Sequence, residues 1–532
     1  MNNIFKGHGD KAFDKQRITK MYEANIAPFP FWGAKTVSKG GRDPLAVQNS
    51  SVVIYTNMIT GITNVTVRVR YNGFFCWLLT LIAKRFEKID ISKIDNPTEQ
   101  IKLIRRGELL LAYIMLDSYP EVTGVSGSIF AQNHFGDETI DLAWGADYEN
   151  KNQHRIYWQN PWGIFGQYYI GALSQLRLIF FPGGEHKTYR VTEEGLGLAN
   201  IYAESFTKEV EELFWNSIYS GKVTKSSLSE MNDMALHLIE NENELAEYAR
   251  IFCKPDRQDI TGNDINHRIN SIKLIMDYIR TDGKEVLPRN FVLTFLRHNF
   301  EQVLSNMDDA STDQLSWFLY ELNELSHAAY EAFHFAILYS ITEEPQPLDV
   351  ILENLRIEFE SYEPSESTEE IYALYDNVKQ CYKDRNYGAL VYEASRMIIA
   401  LYKSIEDHIE FLLEFGQHEN YDVQHPGYAP SLLIRLVDET SSVNWSFVEN
   451  CIYFAINDHL RSSYSKSTIG QGLVHNYMVE DELIWRLRRP EPVRTSPRLQ
   501  NVLQYIEDMK WIELSGDYYT ITERGLKLLN ND

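Results

Sequence analysis

Basic residues are scarce in this chain of 532 residues. It has 51 lysines and arginines against 75 aspartates and glutamates, which gives a formal net charge of -24 at pH 7. A surface with such an excess of negative charge repels polyanions. Non-specific binding to nucleic acid or to an anionic membrane is therefore disfavoured over most of the surface, and any nucleic-acid contact requires a local basic patch.

Long hydrophobic runs and paired cysteines are also lacking. The longest apolar run, GFFCWLLTLIA (73–83), is shorter than the about 20 apolar residues of a membrane-spanning helix, and the opening MNNIFKGHGDK has no apolar signal core. We therefore expect a cytoplasmic protein without membrane contact. The chain has four cysteines, which are Cys76, Cys253, Cys381 and Cys451. Because they are far apart and form no zinc-type spacing, we expect reduced, buried thiols rather than redox or zinc chemistry.

The signatures of common catalytic sites are missing. GVSGS (124–128) lacks the final glycine of a nucleophile elbow, and GKVTKSS (221–227) lacks the upstream glycine of a phosphate-binding loop. The histidines form no HExxH pattern. The sequence therefore identifies no catalytic residue and no cofactor, and it favours a protein without enzymatic activity.

One pair of spacings is similar to that of metal ligands. Glu324-x-x-His327 and Glu331-x-x-His334 occur in ELSHAAYEAFH, and Glu-x-x-His pairs on facing helices hold di-metal centres in helical bundles. Here both pairs fall on one helix, and no other histidine of the chain follows a glutamate by three residues. We predict no metal site and interpret these histidines as polar residues on a partly exposed helix face.

Hydrophobic sequence is ample, and its patterns are mostly helical. Hydrophobic residues make up 44% of the chain and aromatic residues 13%, which predicts a folded protein of several domains. Most of the stretch from 206 to about 480 has apolar residues at helical spacing. The segment TNVTVRVRYNGFFCWLL (63–79) begins with alternation typical of a strand and ends in an apolar run, so a strand and a long helix both remain open.

One sequence pattern occurs twice. YRVTEEGLGLA (189–199) is repeated as YTITERGLKLL (519–529). In both places the surrounding sequence predicts a helix, a strand, a tight turn, a second strand and a helix that begins at the threonine. In the second copy, Ser496 and Pro497 are the expected start of the first helix.

Both segments resemble the wing half of a winged-helix domain, over about 160–205 and 485–530. The resemblance implies a DNA-binding or protein-binding module. The first copy has no basic residue in its candidate recognition helix (163–176) before Arg177, which favours packing or partner binding over contact with DNA.

The predicted fold class is mainly α with small β-hairpin wings, in a multidomain chain where winged-helix-like domains flank a helical middle region. The expected domains are an N-terminal α(+β) domain (1–95), a winged-helix-like domain (96–205), two helical domains (206–345 and 346–484) and a C-terminal winged-helix domain (485–532).

A basic cluster runs against the charge of the chain. Within WRLRRPEPVRTSPR (485–498) the arginines are Arg486, Arg488, Arg489, Arg494 and Arg498. They suit phosphate groups of DNA, but they equally suit carboxylates of the same chain or of a partner. A second set of arginines, Arg42, Arg68 and Arg70, could line a groove or form a salt-bridged face.

The leading functional hypothesis is a non-enzymatic adaptor or scaffold subunit of a prokaryotic nucleic-acid-handling assembly, in genome maintenance or antiviral defence. Its layout is similar to that of kleisin-like subunits, which bridge motor ATPases through protein contacts. We expect protein partners in a complex and consider DNA contact through the C-terminal arginines; homo-oligomerisation is compatible with the sequence. The alternatives are a DNA-binding regulator that uses the C-terminal winged helix and an enzyme with a dispersed site.

Overall fold

The chain folds into two compact units, each built from two separate stretches. The structure is a computed structural model that describes residues 43–184, 186–253, 266–342, 344–364, 370–438, 441–468 and 474–530. Unit 1 comprises Met1–Tyr55 and Leu296–Thr495, and unit 2 comprises Thr56–Phe295 and Ser496–Asp532. These boundaries differ from those of the five consecutive domains expected from the sequence.

Most of the described chain is helical. The α-helices are α1 (Asn49–Met58), α2 (Arg70–Ile89), α3 (Pro97–Ser118), α4 (Ser128–Asn133), α5 (Leu142–Ala146), α6 (Ile170–Gln175), α7 (Glu193–Ala203), α8 (Lys208–Ser220), α9 (Glu242–Cys253), α10 (Asn266–Thr281), α11 (Pro288–Ser305), α12 (Thr312–Ser340), α13 (Leu348–Ser361), α14 (Ile371–Asp384), α15 (Tyr387–Ile405), α16 (Ile409–His418), α17 (Ala429–Leu436), α18 (Trp445–Thr468), α19 (Leu499–Asp508) and α20 (Glu523–Asn530). A π-helical turn, Phe165–Tyr169, directly precedes α6. Among the residues that the structure describes, no helix combines the length and the hydrophobicity that a bilayer crossing requires.

The strands are short and pair antiparallel. They are β1 (Thr139–Asp141), β2 (Ile179–Phe180), β3 (Arg190–Val191), β4 (Lys222–Thr224), β5 (Gln346–Pro347), β6 (Tyr477–Glu480), β7 (Leu483–Arg486), β8 (Ile512–Ser515) and β9 (Tyr518–Ile521). In unit 2, β1 pairs with β4, β2 with β3 and β8 with β9, whereas unit 1 holds one sheet of order β5-β7-β6. The prediction of a mainly helical fold with small β-hairpins is confirmed.

The first long helix resolves the ambiguity between strand and helix. Helix α2 begins at Arg70, and the alternating residues before it form turns rather than a strand. The apolar run of α2 is buried almost completely and packs against α3 and α7. The helical conformation satisfies every backbone group of this run internally, which a strand without a partner could not do.

The two repeated segments share one geometry, and both lie in unit 2. The Thr192 hydroxyl donates a hydrogen bond of 2.6 Å to the Arg177 carbonyl, and the Thr522 hydroxyl donates one of 2.6 Å to the Lys510 carbonyl. Arg177 and Lys510 both adopt the left-handed conformation, with φ of 56° and 58°. The same local sequence therefore gives the same link between a helix, a hairpin and a following helix.

The glycine of each repeat is required by a close backbone approach. A Cβ atom on Gly195 would lie 2.0 Å from the Leu178 carbonyl oxygen, and one on Gly525 would lie 2.2 Å from the Trp511 carbonyl oxygen. The helix after each hairpin can therefore pack directly on the first strand only because the side chain is absent.

The second copy begins differently from the expectation. Helix α19 starts at Leu499, so the predicted start at Ser496 and Pro497 is wrong. Arg498 has a φ of 62°, and this left-handed residue separates the Ser-Pro pair from the helix. Its Nη1 donates to the Ile62 carbonyl at 2.9 Å, a tertiary contact within unit 2 that the local sequence does not reveal.

Helix α12 is the centre of unit 1. It packs against α13, α14, α15, α17 and α18, and it is buried on nearly all sides. Ser311 and Gln314 form a reciprocal capping box at its start. A helix that is apolar around most of its circumference belongs inside a core, so the polar residues of α12 must find partners there or face an internal space.

Candidate functional site

A cleft with a volume of about 760 Å³ lies within unit 1. Its walls are formed by α12, α14, the first residue of α15 and the segment 489–494 that follows β7. Volumes of this size are typical of small-molecule sites. We call it the unit 1 cleft.

Helix α12 contributes a polar row to the floor of the cleft. Glu324, His327 and Glu331 line it, at spacings that place them on one helix face. Each of the three is 4% exposed. The prediction of a partly exposed face is therefore wrong, and His334, which is 0% exposed, is buried as well. The physical reason is the packing of neighbouring helices around α12.

His327 presents an unused acceptor. Its Nε2–H donates a hydrogen bond of 2.6 Å to the Gly427 carbonyl, which fixes the tautomer. Nδ1 is buried and has no hydrogen-bond partner among the described residues. Burial lowers the pKa of His327 below its ordinary value, so the ring is neutral at pH 7 and Nδ1 carries a lone pair.

Glu331 is a buried carboxyl group with few hydrogen bonds that could stabilise its ionised form. Among the described residues, its hydrogen bonding is limited to the Gln48 side-chain amide, whose Nε2 lies 3.4 Å from Oε1. Burial raises the pKa of Glu331 well above its ordinary value, and the nearby carboxylates of Asp43 and Glu324 add to the shift. The neutral acid, which can donate a proton in a hydrogen bond, is therefore the favoured form in the folded protein.

The replacement of Glu331 by glutamine is expected to stabilise the protein increasingly as the pH rises. Below the unfolded pKa of about 4.3 the carboxyl group is protonated in both states, so the pH has no effect through it. Above that value the unfolded chain loses the proton while the folded chain keeps it, which costs about 1.4 kcal/mol per pH unit up to the folded pKa. Glutamine does not titrate and avoids this cost.

Urea unfolding of the wild type and of Glu331→Gln at pH 5, 6 and 7 measures the difference. The advantage of the variant should grow with pH until the pH reaches the raised pKa of Glu331 in the folded state. A difference that is constant across these pH values would show that Glu331 is already ionised in the folded state.

Tyrosines form the aromatic part of the cleft. Tyr339, Tyr375, Tyr382 and Tyr387 line it, and the rings of Tyr339 and Tyr387 lie 5.8 Å apart. The Tyr382 hydroxyl is buried without a hydrogen-bond partner among the described residues. An unsatisfied buried hydroxyl costs stability, so its presence at the cleft wall calls for an explanation.

Cations surround the opening of the cleft. Lys379, Lys383, Arg385 and Arg489 line it and are exposed. Lys379 pairs with Asp376 at 2.9 Å, whereas no described carboxylate forms an ion pair with the other three. Glu491 is also at the lining, so the cations are in excess over the carboxylates there.

Arg494 binds carboxylates of its own unit. Its guanidinium group forms an ion pair with Glu321, and its Nε lies 3.7 Å from Glu324 Oε2. Burial alone would lower the pKa of Arg494, but the two carboxylates outweigh burial and raise the pKa above its ordinary value. This arginine therefore ties the 489–494 segment to α12.

The other arginines of the cluster are dispersed. Arg486 donates to the Ile341 carbonyl, and Arg488 is half-buried beside β6, where its backbone N–H donates to the Asn476 carbonyl at 3.0 Å. Arg498 belongs to unit 2. Of the five predicted residues, the structure brings Arg489 and Arg494 together in the unit 1 cleft.

The second arginine set is enclosed in unit 2. Arg68 pairs with Asp508 at 2.6 Å, and Arg70 pairs with Glu244 at 2.9 Å. Arg68 is 8% exposed and Arg70 is 1% exposed. Both guanidinium groups thus serve the interior of unit 2, and Arg42 lies outside the described residues.

The residues on the α14 side of the cleft were not predicted from the sequence. The relevant residues stand in YDNVKQCYKDRNY (375–387), where tyrosines and cations are interleaved. That interleaving is the one signal that could have identified them. Within the described part of the chain, no group of three or more His, Cys, Asp or Glu side chains is arranged to hold a metal ion.

No protein-family model, no curated protein and no solved structure matched the chain.

Proposed function

We propose that the chain is a non-enzymatic adaptor subunit of a nucleic-acid-handling assembly, and that unit 2 binds partner proteins through its two hairpins. The observation that carries the proposal is the repeated geometry around Thr192 and Thr522. A scaffold that is used twice in one unit offers two similar surfaces for binding. Genome maintenance and antiviral defence are the settings that we propose for such a subunit.

Both hairpins expose apolar side chains. Phe180 and Phe181 are 44% and 50% exposed on the first hairpin, and Leu514 and Tyr518 are 50% and 36% exposed on the second. Pairs of apolar side chains at a hairpin are suited to a protein interface, where aromatic residues are enriched.

The charges near the second hairpin favour protein contact over DNA contact. Arg524 pairs with Glu242, and Lys527 lies 3.4 Å from Glu523. Arg498 is engaged with a backbone carbonyl of the same unit. Cations that are already engaged offer few free contacts to phosphates, whereas a DNA-binding regulator needs several.

Affinity purification of the tagged, full-length protein from its native cells is the test. We expect a stoichiometric protein partner that survives a wash at high salt, because an apolar interface is little screened by ions. The variants Phe180→Ser with Phe181→Ser and Leu514→Ser with Tyr518→Ser should each reduce its recovery.

A matched control is Ile129→Ser, which changes another exposed apolar residue of unit 2, 69% exposed on α4. This variant should retain the partner. The proposal fails if no stoichiometric partner is recovered, or if both hairpin variants retain it as well as the control does.

A further inference from the structure

The floor of the unit 1 cleft is unusual because three of its polar side chains have unused hydrogen-bonding capacity. His327 offers a buried acceptor, and the Tyr382 hydroxyl is buried without a bond. Glu331 is held by one long hydrogen bond from Gln48. An unmet buried polar group costs about 1–3 kcal/mol. Two such groups beside a weakly bonded carboxyl group around one space are explained most simply by a ligand that bonds to all three.

These groups indicate which chemical group the buried end of the ligand must carry. The neutral carboxyl group of Glu331 donates, Nδ1 of His327 accepts, and the hydroxyl of Tyr382 can do either. A complementary group must be uncharged and must carry donors and acceptors side by side. The edge of a nucleobase has this property.

The residues at the opening of the cleft indicate the chemistry of the other end of the ligand. Lys383, Arg385 and Arg489 are exposed there, and no described carboxylate pairs with them. Arginine and lysine side chains in this arrangement suit a phosphate group. Between the two ends, the rings of Tyr375 and Tyr387 provide aromatic surface on which a planar base can stack.

We propose that the unit 1 cleft binds a free nucleotide, with its base at the buried floor and its phosphate at the basic opening. This inference is independent of the adaptor function, because every residue of the cleft belongs to unit 1 and both hairpins belong to unit 2. A volume of about 760 Å³ accommodates a ligand of this size.

Isothermal titration of the full-length protein with AMP, GMP, CMP and UMP tests the proposal. We expect at least one of them to bind with a Kd in the micromolar range. Ribose 5-phosphate lacks the base and the matching nucleoside lacks the phosphate, so each should bind at least about tenfold more weakly. A short single-stranded oligonucleotide should also bind more weakly, because the enclosed floor admits one base.

The variant Tyr382→Phe separates a role in binding from a role in folding. It removes a hydroxyl that has no partner in the protein, so the thermal midpoint should stay the same or rise. Nucleotide affinity should fall about tenfold, which corresponds to one lost hydrogen bond. Lys383→Gln with Arg489→Gln should weaken the nucleotide but leave the affinity of the nucleoside unchanged.

Lys403→Gln is the control, since Lys403 is an exposed cation of the same unit that does not line the cleft. It should bind the nucleotide as the wild type does. The proposal is overturned if no nucleotide binds at millimolar concentration, if ribose 5-phosphate or the oligonucleotide binds as tightly, or if the cleft variants retain wild-type affinity.

Discussion

The replacement of Arg494 by methionine is expected to lower the free energy of unfolding by about 3–5 kcal/mol, because it leaves buried carboxyl groups without their cation. The side chains of Glu321 and Glu324 are 1% and 2% exposed, and that of Arg494 is 21% exposed. Methionine fills much of the same volume, so lost charge pairing rather than lost packing dominates the effect.

Urea denaturation of the full-length protein measures this loss. The double variant Arg494→Met with Glu321→Gln should recover part of it, because a neutral amide replaces the uncompensated carboxylate. Arg489→Met changes an exposed arginine of the same segment and should stay within about 0.5 kcal/mol of the wild type. Equal effects of the two arginine variants would contradict the role assigned to Arg494.

The second large effect is expected at the glycines of the repeat. Gly195→Ala and Gly525→Ala should each cost about 3 kcal/mol, the upper end of what overpacking usually costs. In both cases the new Cβ meets a backbone carbonyl oxygen, at 2.0 Å and 2.2 Å. A backbone atom cannot rotate away as a side chain can, so the helix must move off the hairpin.

A control lies in the same helix as Gly195. The nearest atom to a Cβ on Gly197 is the Glu247 carboxylate at 4.0 Å, so Gly197→Ala has room and should stabilise the helix by up to about 1 kcal/mol. Thermal unfolding followed by circular dichroism distinguishes the three variants. If Gly195→Ala is as stable as Gly197→Ala, the close packing of α7 on the hairpin is not as described.

Local signals made the hairpins predictable from the sequence. Thr192 and Thr522 cap the following helices, because each hydroxyl accepts a hydrogen bond from the backbone N–H three residues later. The turns between the strands contain glycine and polar residues, which favour tight turns. Such interactions depend on neighbours in the sequence, so pattern analysis finds them.

Burial of polar residues was not predictable in the same way. The pattern around His327 and Glu331 predicted the correct helix, but their exposure depends on the five other helices that pack around α12. The cleft likewise combines Gln48 with residues more than 270 positions later in the chain. Contacts of that range leave no periodic trace in a single sequence.

The roles of the C-terminal arginines were likewise not predictable from the sequence. Five arginines within fourteen residues suggested one patch, yet their partners differ. Arg486 binds the carbonyl of the residue that follows α12, and Arg494 binds two glutamates of α12. Arg498 binds a backbone carbonyl of unit 2. The partners, rather than the spacing, decide what each guanidinium group does. Only Arg489 and Arg494 share a surface that the structure defines as a cleft.

The discontinuous build of the two units has a consequence for biosynthesis. The ribosome synthesises Thr56–Phe295 long before Ser496–Asp532, although both stretches belong to unit 2. Until the last stretch emerges, the side of α10 that packs against β9 and α20 is uncovered, including Met276 beside Gly525. Apolar surface exposed during synthesis invites aggregation. Most of unit 2 is therefore synthesised early and stays incomplete while most of unit 1 is made, and unit 2 can fold fully only after Ser496–Asp532 is added.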